Sequence, residues 1–326
     1  MVKLIYPVNN EIIPILNDLQ RKFVNEDEHP FNENYINWAH LERYKEQDDT
    51  FPQLNTFRWK SDSEEAVIEI SENEDFSDAR IIKVNGNKAD IHNFKANRTY
   101  YWRVNGCEAE TFKTEDVAPA FYEVDGISNV RDAGNWKTKY GCRIKQSLLF
   151  RGSEMNMHHT ITEKGIDVMR NILKIRTDLD IRGEARRFSC SPIGEDVQFL
   201  IVPAGPYKNF MQDKETCKKL FDILADESNY PIYYHCWGGA DRTGTIACML
   251  GVALGMCEKD TLLDYEITSL SVWGERNRVS ELYQSFLEEL SKYEGDTFEE
   301  RIMSFLYSCG ITEEQLDKIR DILLEK

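Results

Sequence analysis

The sequence predicts an α/β domain, a mainly parallel sheet flanked by helices over residues 119–326, preceded by an all-β sandwich over residues 1–118. Three observations lead there. Before about residue 118 the chain is a series of short β-branched and aromatic runs broken by Asn, Gly and Asp, the pattern of a sandwich. After Phe121, strand-like runs alternate with helical spacing, as parallel strands with crossover helices do. Between them Thr114-Glu-Asp-Val-Ala-Pro-Ala120 mixes charge, proline and small residues without periodicity and reads as a linker. A chain of 326 residues is long for one core and suits two.

In the first half the expected strands are Phe57-Arg-Trp59, Ala66 to Ile70, Ile81 to Val84 before a turn at Asn85-Gly86-Asn87, Thr99 to Val104, and Ala109 to Lys113. A polar, helical insertion is expected near 16–49, with an aromatic stripe (Phe31, Tyr35, Trp38, Leu41, Tyr44) read as packing. In the second half, Ser128 to Gly134 and Leu148 to Arg151 flank a turn at Tyr140-Gly141. A helix follows over Ile161 to Ile172, capped by Thr160 or Thr162. Strands at Lys174 to Asp180 and Val197 to Val202, a helix at Asp213 to Ala225 and a strand at Tyr230 to Tyr234 come next, and the tail from Lys259 is almost entirely helical in pattern.

Composition excludes several classes. A net charge of −17 argues against nucleic acid or an anionic membrane as partner. The eight cysteines show no CxxC pair and no zinc spacing, so reduced thiols are expected, with no metal and no cofactor. The longest apolar run, Ile246 to Met256, is too short to cross a bilayer. MVKLIYPVNNE lacks a signal-peptide core, which predicts a cytoplasmic protein unless a leader has been trimmed.

The informative stretch is His235 to Thr245, HCWGGADRTGT, set between the strand ending at Tyr234 and a helix from Thr243 to Met256. Cys236 and Arg242 enclose five residues, a loop short enough to curl round one tetrahedral anion. The amides of Trp237, Gly238, Gly239, Ala240, Asp241 and Arg242 can then point inward, at the positive end of the helix. Gly238 and Gly239 permit the torsions such a nest demands. Arg242 offers a planar fork for two phosphate oxygens. In that field the Cys236 thiol is expected to ionise easily. A thiolate, an anion cradle and an arginine together describe attack on phosphorus.

The string resembles the HC-x5-R-[ST] signature of the protein tyrosine phosphatase superfamily, in the CxxGxDRTG form of bacterial atypical tyrosine/lipid phosphatases. Asn129-Val-Arg-Asp-Ala-Gly134, Phe150-Arg-Gly-Ser153, Asp178-Leu-Asp-Ile-Arg182 with Glu184, and Leu263-Asp-Tyr265 resemble further motifs of that group, in the same order. The resemblance implies Cys236 as nucleophile, Arg242 as phosphate ligand, Thr243 as the hydroxyl assisting breakdown of phosphocysteine, and His235 as the residue tuning the thiolate. Ala240 stands where many of the group carry a lysine associated with phosphoinositides. The first half resembles fibronectin type III modules through Trp59, Val67 to Ser71 with Phe76, and Tyr101 to Val104.

Phosphoryl transfer also wants a proton for the leaving oxygen. Asp241 is preferred for it, because the chain fixes its distance from the thiolate; Asp180 is the alternative, and either could be purely structural. Arg182, Arg186 and Arg187 form a basic cluster read as a solvated face or as a second anion site. Arg131 and Asp132 are expected to pair with each other. Trp237 either lines the pocket or packs beneath the loop. The predicted activity is phosphate-monoester hydrolysis through a cysteinyl phosphate, on phosphotyrosine first and phosphoinositide or inositol phosphate next. A phospho-binding adaptor is the alternative, with a rhodanese-like sulfur carrier or arsenate reductase as a third reading. The β module is a candidate surface for a protein partner.

Overall fold

The computed structural model describes residues 2–25 and 48–326; the aromatic stripe from Phe31 to Tyr44 lies outside them. The first half comprises β1 (Lys3–Tyr6), β2 (Glu11–Ile13), α1 (Asp18–Val24), β3 (Asn55–Lys60), β4 (Glu65–Ser71), β5 (Arg80–Asn85), β6 (Lys88–Ile91), β7 (Thr99–Val104) and β8 (Glu110–Thr114). They form a three-stranded sheet in the order β1-β3-β6 and a five-stranded sheet in the order β2-β8-β7-β4-β5. Alternation puts Phe57 and Trp59 of β3 inward, facing Tyr100, Trp102 and Val104 of β7. Across the gap the Phe57 ring meets Trp102 edge-on at 5.0 Å and Phe112 at 5.3 Å. The Asn85-Gly86-Asn87 turn moves the chain between sheets, since β5 pairs with β4 whereas β6 pairs with β3.

The second half runs β9 (Arg131–Asp132), β10 (Leu149–Gly152), α2 (Glu163–Asp167), β11 (Thr177–Asp180), β12 (Gln198–Ile201), α3 (Tyr207–Met211), α4 (Lys214–Leu224), β13 (Ile232–His235), α5 (Asp241–Ala253), α6 (Glu258–Glu266), α7 (Glu281–Leu290), α8 (Phe298–Ser308) and α9 (Glu313–Leu323). Thr162 caps α2, its hydroxyl accepting from the Gly165 amide at 3.2 Å, and the helix loosens into a wider π-type turn over Val168–Ile172. The sheet order is β12-β11-β13-β10-β9, parallel except for β9. β13 lies at the centre and is buried throughout. Register aligns its last residue, His235, with Gly152 of β10 and Asp180 of β11. Three strand ends thus meet where ligands of such sheets collect.

Helix residues such as Leu220, Phe221, Met249, Phe305 and Ile319 cover one face of this sheet. The other face shares its apolar cluster with the sandwich, which joins Phe57 and Trp102 to Val130, Phe150 and Tyr233. The stretch read as a linker is anchored rather than loose. Glu115 Oε1 accepts from the amides of Ile15 and Leu16 at 2.6 and 2.8 Å, and Asp116 grips Arg143 with two bonds of 2.8 Å. Its charges find partners across the chain.

Arg131 and Asp132 do not pair, because successive strand residues point to opposite faces. Arg131 turns to Asp264 at 2.8 Å, whereas Asp132 accepts from the amides of Gly134 and Ser147 at 2.7 and 2.6 Å. Among the described residues no helix is long and apolar enough to cross a membrane.

Candidate active site

The cysteine loop leaves β13 and enters α5, and its carbonyls are turned outward. The Trp237 carbonyl accepts from the Glu154 amide at 2.9 Å, Gly238 from Asn129 Nδ2 at 2.8 Å, and Gly239 from Arg151 Nη2 at 2.8 Å. The Ala240 carbonyl is taken by the Gly244 amide of α5 at 2.7 Å. Among the described residues none of the amides from Trp237 to Arg242 donates to a protein acceptor. That is the electrical character of a nest: donors inward, acceptors tied off behind. Gly239 has φ +64°, and a Cβ there would sit 2.3 Å from the Gly152 carbonyl oxygen. A Cβ on Gly238 would sit 2.5 Å from the Trp273 ring. Both glycines are therefore required, by backbone on one side and by an indole on the other. Cys236, at the start of the loop, is 3% exposed.

Beneath the loop lies a buried charge cluster. Asp264 of α6 holds Arg131 through Nε at 2.8 Å and Arg151 through Nη1, and its backbone oxygen accepts from Arg131 Nη2 at 2.7 Å. Burial opposes the charge of Asp264, but the two guanidinium groups outweigh it and bring its pKa below the ordinary aspartate value. Burial and the neighbouring Arg151 pull Arg131 down to about 10. Arg131 also reaches Asn129, so one cluster sets the posts on which the Gly238 and Gly239 carbonyls rest.

His235 donates through Nε2 to Asp178 Oδ1 at 2.8 Å and lies 3.8 Å from Asp180. Burial works against its charged form, but the carboxylates of Asp180 and Asp178 prevail and raise its pKa above the usual histidine value. This carboxylate-held ring lies one residue before Cys236.

Two expectations from the sequence are corrected here. Arg182 is not a free cation for a second anion: it is fully buried, grips Asp180 through Nε and Nη2 at 2.9 and 2.6 Å, and bonds Glu154 at 3.1 Å and Asn156 at 2.8 Å. Asp180 is committed by the same pairing, so neither is open to substrate. Arg186 and Arg187 are exposed on the turn Gly183–Arg187, Arg187 lying over the Phe188 ring.

Asp241, preferred as proton donor, is also occupied. Its Oδ1 accepts from Tyr207 Oη at 2.5 Å and Arg276 Nε at 2.7 Å, and its Oδ2 accepts from Arg276 Nη2 at 2.8 Å. Burial pushes its pKa up, but Arg276, the Tyr207 hydroxyl and the Arg242 charge carry it below the ordinary aspartate value. Tyr207 Oη is in turn 2.6 Å from Tyr265 Oη.

Two groups stand uncommitted. Arg242 makes no hydrogen bond among the described residues, its ion-pair neighbour being Glu184 at 3.8 Å. Thr243, fully buried, has a hydroxyl without a hydrogen-bond partner among the described residues. Trp237 sits at the rim, half-buried, with its ring 4.5 Å from His158 and over the Arg182 guanidinium at 5.1 Å. Trp273 completes this wall, 5.1 Å from His159 and hydrogen-bonded to Ser128 at 3.1 Å.

Sequence reasoning missed Arg276, Tyr207 and Glu154. Arg276 lies 35 residues from Asp241 and carries no motif. The bracing by Asn129 and Arg151 was hinted only by the motifs that contain them.

A cysteine and an uncommitted arginine on a ring of acceptor-free amides, at the carboxyl end of a central parallel strand, define an anion-binding cysteine loop. A model of the tyrosine phosphatase family matches residues 122–325, and the chain belongs to that family. Among solved structures it is similar to the core catalytic domain of the PP-IP phosphatase SIW14 from S. cerevisiae in complex with citrate, with 15% identity, TM-score 0.33, and coverage of 44% of this chain and 83% of that one. A second structure of the Siw14 catalytic core gives 15% identity, TM-score 0.34, and coverage of 48% and 85%. A search of the curated proteins finds no sequence match.

Proposed function

We propose that the protein hydrolyses phosphate monoesters through a cysteinyl-phosphate intermediate, with phosphotyrosine as the preferred class. The observation that carries this is the uncommitted state of the loop: acceptor-free amides and an unbonded Arg242 around Cys236. Such donors match the non-bridging oxygens of a phosphoryl group, and fixed donors are where electrostatic catalysis resides.

In the first step the Cys236 sulfur attacks phosphorus, an S–P bond forms, the ester P–O bond breaks, and the electron pair leaves on the ester oxygen. His235 precedes Cys236 and is held by Asp178 through Nε2 at 2.8 Å. In the second step water attacks phosphorus and the P–S bond breaks, returning the thiolate. The Thr243 hydroxyl, without a hydrogen-bond partner among the described residues, is the donor assigned to the sulfur as it regains its charge. Trp237, His158 and Trp273 offer a ring-stacking wall at the mouth, which favours an aryl ester.

Rapid mixing with an aryl phosphate tests the covalent step. A burst of phenol stoichiometric with enzyme is expected, and Cys236→Ser should lower turnover by at least about 10³-fold while vanadate still binds. Appreciable turnover by Cys236→Ser would remove the covalent mechanism; binding of phosphate without turnover by the wild type would favour the adaptor reading.

A further inference from the structure

A groove of about 890 Å³ runs between the two halves of the chain. One wall is the run Ala79 to Lys83, which takes in most of β5; the other includes Val168 and Ile172 of the π-type turn and Lys174 beyond it. Consecutive strand residues point to opposite faces, so a groove that meets every residue of that run meets the strand along its edge. The edge is open: β5 pairs with β4 and, among the described residues, with no other strand. An open edge presents a row of unpaired amides and carbonyls, and an extended polypeptide completes it as an added strand. The six residues of β5 offer about 20 Å of such edge. Ile81 on this strand is 61% exposed.

The charge of the groove is opposite to that of the chain. Five cationic and three acidic side chains line it, in a protein whose net charge is −17. The acids are engaged: Glu72 pairs with Lys95 at 2.5 Å, Asp78 accepts from the Ser71 hydroxyl, and Asp167 Oδ1 accepts from Asn171 Nδ2 at 2.7 Å. Arg80, Lys83, Lys164 and Lys174 line the same groove and form no ion pair among the described residues. Arg80 spends one bond, of 2.6 Å, on the His92 carbonyl. Burial lowers its pKa from the ordinary arginine value, and Tyr100 and Asp167 do not fully offset that. Cations in this state favour an acidic occupant. A second copy of the chain fits poorly, since two β5 edges paired about a two-fold axis would set the Arg80 and Lys83 charges of one against those of the other.

The groove lies at the far end of the catalytic sheet from the cysteine loop. Lys174 and Pro231 line it just ahead of β11 and β13, whereas Cys236 follows β13. The four residues of β13, about 13 Å of strand, keep the two places apart. We propose that β5 and this groove dock an extended acidic segment of a protein partner as an added strand, at a site separate from the cysteine loop. The backbone edge holds the segment and the unpaired cations select its charge. The docking does not depend on the phosphatase reading.

Fluorescence anisotropy on the full chain tests it with labelled peptides: one of alternating glutamate and valine, the same sequence with lysine for glutamate, and the acidic one N-methylated throughout, which has no amide hydrogens for a strand ladder. The acidic peptide is expected to bind in the micromolar range and the other two at least about tenfold more weakly. Lys83→Glu/Lys164→Glu, at two exposed positions, should weaken the acidic peptide at least about tenfold and leave turnover of an aryl phosphate as it is. Saturating vanadate should not displace the peptide. Equal binding of the lysine peptide would overturn the charge selection, and equal binding of the N-methylated peptide would overturn strand addition. Displacement by vanadate would move the peptide to the cysteine loop, and no binding at all would leave Lys83 as a charge that blunts an edge; either result sinks the proposal. So would self-association of the peptide-free chain in sedimentation that the acidic peptide reverses, which would give the edge to a second copy. Turnover by Cys236→Ser reports separately on the phosphatase reading.

Discussion

The two faces of the cysteine loop are built on opposite rules. On the side facing the sheet the loop carbonyls are tied off: Asn129, Arg151 and the Glu154 amide take them, and Asp264 takes both arginines. By contrast, the loop amides, the Arg242 fork and the Thr243 hydroxyl have no such bonds among the described residues. The satisfied face supplies the rigidity that lets the other face stay unsatisfied. Unpaired donors cost free energy in the folded state and are retained where a ligand completes them.

This contrast predicts that substitutions on the pocket side cost activity, and those on the sheet side cost stability. The largest expected effect is Arg242→Lys, which should lower kcat/KM on an aryl phosphate by about 10²–10³-fold. It should move the folding free energy by no more than about 0.5 kcal/mol. Steady-state kinetics and urea denaturation of the same preparation read both. Arg151→Met should do the reverse, destabilising by roughly 3–5 kcal/mol because Asp264 is left half-compensated in the interior. Equal stability losses in the two variants would erase the distinction.

Thr243→Val sharpens the contrast on one atom. Removing a buried hydroxyl that has no partner should leave stability unchanged or raise it by about 1 kcal/mol. It should slow the decay of the phosphocysteine more than its formation, seen as a burst with a lowered steady-state rate. The smallest effect is the pH dependence due to His235. Its folded pKa lies above the unfolded value of about 6.5. The stabilisation from its carboxylate partners is therefore complete below that pH and is lost as pH rises through the folded pKa. The difference in unfolding free energy between wild type and His235→Asn should accordingly shrink from pH 6 towards alkaline pH. A difference that grows instead would mean the ring is neutral in the native state.

Much of this arrangement was legible in the sequence. The loop from Cys236 to Arg242 is local, so its chemistry could be read from one continuous string. Strand periodicity located β3, β4, β7 and β13 because their buried faces carry Phe57, Ile68, Trp102 and Tyr233. What stayed hidden was relational. The state of Asp241 depends on Arg276 and Tyr207, which no spacing rule connects to it. Arg182 reads as a solvated charge or a second anion site and Asp180 as an alternative proton donor, since sequence records a charge but not the depth at which it is balanced. The strands β1, β2 and β9 have two to four residues, too few for periodicity to register.

The shared apolar cluster between the sandwich and the catalytic sheet has a mechanical consequence. Tyr233, which sits in that cluster, bonds through its hydroxyl to the Ser153 carbonyl at 2.6 Å and lies three residues before Cys236. Excising residues 2–118 would strip the backing from Val130, Phe150 and Tyr233 and wet the strand that leads into Cys236. The amino-terminal half thus backs the central strand from behind, through the apolar cluster the two halves share.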